Sequence, residues 1–271
     1  GGSICPCGGN DWYNKSTRIL LPRKRMNASQ LEILFNPKSI AVIGASDRAG
    51  SVGYSLFKNL TGYHFKGPVY PVNNRWEIVQ GSRAYRSVHE LPEVVDLAVI
   101  ATPADSVPAV LEECASCRVL SAVIISSGFT EAGAEGRRLG DQITQIAQSS
   151  GMAVLGPNCL GFMRPGANLN ASFSRKMPLQ GDIAFVSQSG ALCTAVLDWS
   201  IKEQVGFSYF VSIGDMLDIG FHNLIDYLGN DPGTKAILIY METLNQARRF
   251  MSAARGFARL KPIIVLKVGK S

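Results

Sequence analysis

Histidine is scarce in this chain: among 271 residues there are three, His64, His89 and His222, and none lies in a catalytic motif. General acid–base chemistry run by histidine is therefore poorly supplied. His89, in "SVHELPEVVD", reads as an exposed turn and helix, and His222, in "DIGFHNLIDYL", as part of an amphipathic helix. No apolar stretch approaches the ~20 residues of a membrane-spanning helix. Residues 1–25 contain no apolar core of signal-peptide length. Lys/Arg stripes interleaved with aromatics are also missing, so the net charge of +6 suits an anionic ligand and predicts neither nucleic acid nor membrane as a partner.

Several enzyme signatures are missing too. "FVSQSGALC" reads S-Q-S-G and not G-x-S-x-G, which excludes a nucleophile elbow. The terminal "VGKS" lacks the first glycine of a Walker loop. The six cysteines are Cys5, Cys7, Cys114, Cys117, Cys159 and Cys193. Cys114 and Cys117 form a C-x-x-C inside "VPAVLEECASC", which reads as a helix, and zinc would need the pair Cys5 and Cys7 as well. The cysteines read as reduced thiols of a cytoplasmic protein, with no metal site.

What the chain does have is hydrophobic substance, 46% of its residues, arranged in short runs. These fall at 39–44, 68–72, 96–101, 121–126, 152–155, 182–187, 207–212, 235–241 and 262–267. They are rich in Val and Ile without period-2 alternation, the pattern of strands buried on both faces of a parallel sheet. Helical segments lie between most of them, for instance at 106–117, 133–149, 190–203, 219–229 and 244–259. The alternation predicts a doubly wound α/β architecture in two sheets. The loop-like stretch 156–181 is the expected boundary. Residues 1–25, polar and then basic, read as a tail or leader outside the fold, with Met26 as the natural start.

The first strand ends at Gly44, and "ASDRAGSVG" then leads into a helix. A helix start attracts phosphate through its unsatisfied amides and dipole, and Gly44, Gly50 and Gly53 allow a close backbone approach. The spacing is not G-x-G-x-x-G, so a glycine-rich turn without a ligand remains open. NAD-binding folds place an acid after the second strand; here "PVNNR" offers Val72, Asn73, Asn74 and Arg75. A base without an acid favours a ribose carrying an extra phosphate, that of NADP or coenzyme A, unless Arg75 is an ordinary surface residue. "ATPADSVP" (101–108) and "SSGFTEAG" (126–133) follow further strands at ligand-facing ends, and Ser106 reads as an N-cap. At the fifth such place Ser187, Gln188, Ser189 and Gly190 open another helix, a second oxyanion or phosphate cradle. Glu242, ending a buried strand, could face a site or cap a helix.

Taken together, "NPKSIAVIGAS", "YPVN", "DLAVIATPA", "GPNCLGF", "SQSGAL" and "KPIIVLKVGKS" resemble the NDP-forming acyl-CoA synthetases, relatives of the succinyl-CoA synthetase α subunit. The stretch from Gly214 to Pro262 looks most like the bacterial branch fused to a GNAT acetyltransferase domain, the protein lysine acetyltransferases. The resemblance implies a Rossmann-like CoA-binding domain over 26–160 and a flavodoxin-like domain over 161–271. It implies Gly44, Ala45, Ser46 and Gly53 against the diphosphate of CoA or acetyl-CoA. Pro71, Val72 and Asn73 would flank the adenosine, with Arg75 near the 3′-phosphate. Thr102, Pro103, Asn158 and Cys159 would follow the pantetheine to the thiol, and Ser187, Gln188, Ser189 and Gly190 would hold phosphate. Glu242 matches an acid that supports a phosphorylated histidine, which the family carries in a loop just beyond "IIVLKVGKS". ATP or ADP with Mg would bind only through regions outside this sequence; the partners implied are C-terminal domains, an ATP-grasp domain and in the acetyltransferase branch a GNAT domain, or a β subunit, and self-association into a homo-oligomer stays open. Two positions depart from the pattern: Asn74 stands where proline is usual, and Asp215, adding a charge, where asparagine is usual. By this reading the chain alone binds CoA without turnover. The rivals are an NADP-binding oxidoreductase domain and a non-catalytic CoA-binding module.

Overall fold

A computed structural model describes residues 28–269; the expected tail at 1–25 and the pair Cys5 and Cys7 lie outside them. Helix α1 (Ala28–Phe35) leads into β1 (Ile40–Ile43), α2 (Val52–Gly62) and β2 (Val69–Val72). A small hairpin of β3 (Ile78–Val79) and β4 (Ser82–Arg83) follows. Then come β5 (Leu97–Ile100), α3 (Val107–Ser116), β6 (Ser121–Ile124), α4 (Gly133–Ser150) and β7 (Ala153–Leu155). The five longer strands form a parallel sheet in the order β2-β1-β5-β6-β7. β1, β5 and β6 are buried at every residue, as their unbroken apolar runs demand.

The second half contains β8 (Gly161–Arg164), β9 (Leu169–Ser172), β10 (Leu179–Ser187), α5 (Gly190–Lys202), β11 (Gly206–Ser212) and α6 (Phe221–Asn230). β12 (Ala236–Met241), α7 (Ala247–Phe257) and β13 (Ile263–Lys267) complete it. The sheet order is β13-β12-β10-β11-β8-β9, with β10 to β13 parallel and β8 and β9 antiparallel. The stretch 156–181 is thus no simple loop: two of its segments extend the second sheet. Asn170 and Ser172 are fully buried there; the Ser172 hydroxyl donates to Asn170 Oδ1 at 2.6 Å, while among the described residues Asn170 Nδ2 has no partner. The run at 262–267 is also not buried on both faces. β13 is an edge strand, and Ile264 and Leu266 are 60% and 59% exposed. Ser106 makes no capping bond; its hydroxyl donates to Pro103 O at 2.7 Å, because a 3-10 turn already carries the chain into α3.

The two sheets share one core. Phe35 of α1, fully buried, meets Phe162 and Tyr209 edge-on and stacks on Tyr227, so the helix preceding the first sheet seals against the second. The segment after β11 runs back beside β7: the amides of Asp215, Leu217 and Ile219 donate to Pro157, Gly156 and Val154 carbonyls. In each sheet the chain reverses its winding direction once, between β1 and β5 and between β10 and β12. Crevices at such switch points, outside the carboxyl ends of the strands, are where α/β sheets hold ligands.

Candidate functional site

At the first switch point Gly44 has φ +90° and donates its amide to Val72 O at 2.9 Å. A Cβ there would stand 2.7 Å from Ala101 O, and one at Gly53 would collide with the carbonyl oxygen of Gly44. α2 therefore starts against the turn, capped by Ser51, whose Oγ accepts from Tyr54 N. Asn73 fixes the turn from β2: Nδ2 donates to Ala45 O at 2.7 Å, while Oδ1 accepts from the Arg75 amide at 2.8 Å. Ser46 Oγ accepts from Arg48 N, Pro71 and Val72 lie in β2, and Arg75 is exposed. Sequence reasoning missed Gln80. Its Nε2 donates to Ser46 O and Tyr54 O, and its amide to Asp47 Oδ1, so the hairpin braces the same turn. The Gln-Gly pair between short strands was its only local signal.

The second switch point is built differently. Ser187 is fully buried, its hydroxyl donating to Ser189 O, and Ser189 caps α5 by accepting from Leu192 N. Gln188 spends its carboxamide across the switch: Oε1 accepts from the amides of Glu242 and Thr243 at 2.8 and 2.9 Å, and Nε2 donates to Thr243 Oγ1. What remains for a ligand are the first amides of α5, at Gly190 and Ala191, which have no intrahelical carbonyl.

These parts open into one cleft of about 840 Å³. It brings Thr102, Pro103, Asn158 and Cys159 from the first half together with Gln188, Ser189, Gly190 and Glu242 from the second. Gly44, Ala45, Ser46, Gly53, Pro71, Val72, Asn73 and Arg75 are not among its walls and surround the neighbouring β1–α2 turn. Among the described residues Thr102 Oγ1 is buried without a hydrogen-bond partner, a cost of about 1–3 kcal/mol. Asn158, at φ +56°, is held by its amide on Ser126 O and by Nδ2 on Asp215 Oδ1 at 3.4 Å, so the unusual acid at 215 fixes a cleft residue. Burial pushes the Cys159 thiol up to about 12, and its Sγ donates to Ile124 O; it is a neutral wall, not a nucleophile. Among the described residues that line it Glu242 carries the sole formal charge, while the α5 dipole offers the opposite sign. Among the described residues no group of acids, histidines and cysteines could hold a metal, and no helix is long and apolar enough to cross a membrane.

Comparison with known proteins gives the domain families. Residues 38–165 match the family described as CoA binding domain, and residues 180–271 match the succinyl-CoA ligase like flavodoxin domain. The chain is thus an α/β protein with a CoA-binding domain followed by a succinyl-CoA ligase-like flavodoxin domain, and the CoA reading prevails over the NADP one. More particularly, it is 46% identical over 245 residues to the alpha subunit of an ADP-forming acetate–CoA ligase of Pyrococcus furiosus, covering 89% of this chain and 53% of that subunit. A 4-hydroxybutyrate–CoA ligase of Nitrosopumilus maritimus is 38% identical, over 88% of this chain and 34% of the ligase. A dinucleotide forming acetyl-coenzyme A synthetase of Candidatus Korarchaeum cryptofilum, solved with phosphate and ADP, superposes with a TM-score of 0.85 at 41% identity, over 89% of this chain and 52% of that one. The chain spans about half the length of that alpha subunit and about a third of the 4-hydroxybutyrate ligase.

Proposed function

We propose that this chain is the CoA-binding part of an ADP-forming acyl-CoA ligase acting on a small acid such as acetate. The observation that carries the reading is one cleft that gathers the loops after β5 and β6 together with the free start of α5. In this reading Gly44, Ala45, Ser46 and Gly53 form the β1–α2 turn that holds the CoA diphosphate against the start of α2. Pro71, Val72 and Asn73 border the adenosine, and Arg75, exposed after β2 where no acid competes, meets the 3′-phosphate. Thr102, Pro103, Asn158 and Cys159 line the path of the thiol arm. Ser189 and Gly190 present phosphate to the α5 amides; Ser187 and Gln188 shape that turn from behind. Glu242, anchored by Gln188, faces the phosphate-transfer side. We read the domain boundary at residue 160, between β7 of the first sheet and β8 of the second. Nucleotide, with its Mg, binds on an ATP-grasp partner domain or subunit. A fusion to a GNAT acetyltransferase domain is the second reading, and the resemblance of residues 214–262 alone favours it.

Thermal unfolding of the chain with CoA, acetyl-CoA or NADPH tests the proposal. CoA and acetyl-CoA are expected to raise the transition; a larger rise with NADPH overturns the reading. Within it, Arg75→Ala is expected to weaken CoA about three- to tenfold while leaving dephospho-CoA unchanged, the size of a partly exposed charge-assisted contact. Equal losses for both ligands would remove Arg75 from the 3′-phosphate.

A further inference from the structure

The cleft has an apolar side that phosphate chemistry leaves unused. Val52, the first residue of α2, and Phe173, the residue after β9, both line it, 39% and 37% exposed. Single exposed apolar residues are ordinary, but these two converge on one cleft from separate elements. Phe173 is also held in place. Asn59, only 8% exposed, donates through Nδ2 to Ser172 O and to Ser174 O, at 2.7 Å each, gripping the chain on both sides of the aromatic residue. The Phe173 amide donates to Leu160 O at 3.4 Å, which fastens it to the segment bearing Asn158 and Cys159. A buried carboxamide thus fixes the backbone under a ring that the protein itself does not cover.

The same cleft also has the start of α5 and Glu242 among its walls. An acyl chain, which has little to offer those groups, belongs against the apolar side, next to the residues assigned to the thiol. We infer that Phe173, with Val52 beside it, is the wall that meets the acyl group of a bound acyl-CoA and sets the size that fits. The inference rests on the CoA-binding reading and adds a specificity-determining residue to it. A rigid ring at the end of the path accepts an acetyl group and obstructs longer chains; its removal opens space for them.

Calorimetric titration of the chain with CoA, acetyl-CoA, butyryl-CoA and hexanoyl-CoA tests this, in the wild type and in Phe173→Ala and Phe173→Leu. Since discrimination by apolar contacts runs about tenfold or more per misfit, the wild type is expected to bind acetyl-CoA at least about tenfold more tightly than hexanoyl-CoA. Phe173→Ala is expected to bring that ratio within about threefold, with CoA affinity itself held within about threefold, and Phe173→Leu to fall between. An unchanged ratio in Phe173→Ala, or an equal loss for all four ligands, overturns the inference. CoA binding without any size dependence in the wild type overturns it as well and leaves the CoA reading standing; no binding of any CoA species overturns both.

Discussion

The β1–α2 and β10–α5 turns occupy equivalent places, each at the carboxyl end of a central strand where the winding reverses, and each ends in a serine cap. They use glycine for opposite purposes. In the first turn the missing side chains are consumed by packing: Gly53 lets α2 sit against the Gly44 carbonyl, and Gly44 lies against Ala101. In the second, a Cβ on Gly190 would meet nothing within 4 Å, and the tight work is done by Ser187, Gln188 and Ser189 through hydrogen bonds. A glycine-rich turn is therefore no ligand site by virtue of its glycines alone; what counts is whether the space they leave is already filled.

The comparison breaks most visibly at Gly53. Gly53→Ala pushes a methyl into the Gly44 carbonyl, so α2 must move off the sheet, and overpacking of this kind costs about 3 kcal/mol. Urea unfolding should show that loss in the midpoint at unchanged slope; a variant as stable as wild type would mean the helix is not seated where it is described. The second turn should yield less. Ser189→Ala removes the cap on Leu192 N and is expected to cost about 1 kcal/mol by the same measurement. A loss as large as that of Gly53→Ala would erase the distinction between a turn held by packing and one held by hydrogen bonds.

The sequence reveals such turns but not what fills them. β1, β5 and β6 were legible because unbroken Val/Ile runs buried on both faces have few other readings. β8 and β9 were not, because they are short, bordered by Gly and Pro, and carry Asn170 and Ser172 inward, where their mutual hydrogen bonds offset part of the cost of burial. The β3–β4 hairpin has two residues per strand, below what periodicity can detect. β13 looked buried because apolar composition does not tell an edge from an interior. In the site, Thr102, Ser189 and Glu242 could be picked out because they follow strand ends, and Asn158 through the family resemblance. Gln80, Asn59, Phe173 and the bridging role of Asp215 could not: Asn59 reaches Ser172 across 113 positions and Asp215 reaches Thr130 across 85. Such pairings exist only once the two sheets are packed together.

The smallest change in stability should come from Gly190→Ala, and it bears most directly on function. The position opens α5, its φ is not in the left-handed region, and the new methyl points into free space. Replacing glycine at a compatible site restricts the unfolded chain and is expected to stabilise the fold by about 0.5 kcal/mol. The same methyl occupies the cleft beside the first α5 amides, where phosphate is proposed to bind. A thermal scan without ligand should therefore match or slightly exceed wild type, while inorganic phosphate should raise the transition less than it does in wild type. If the variant is destabilised, the space at Gly190 is not free. If it keeps the full phosphate response, the space is free and phosphate binds elsewhere. In the first case the second turn would be a packing device like the first, and the contrast between them would collapse; in the second the contrast stands and the phosphate assignment falls.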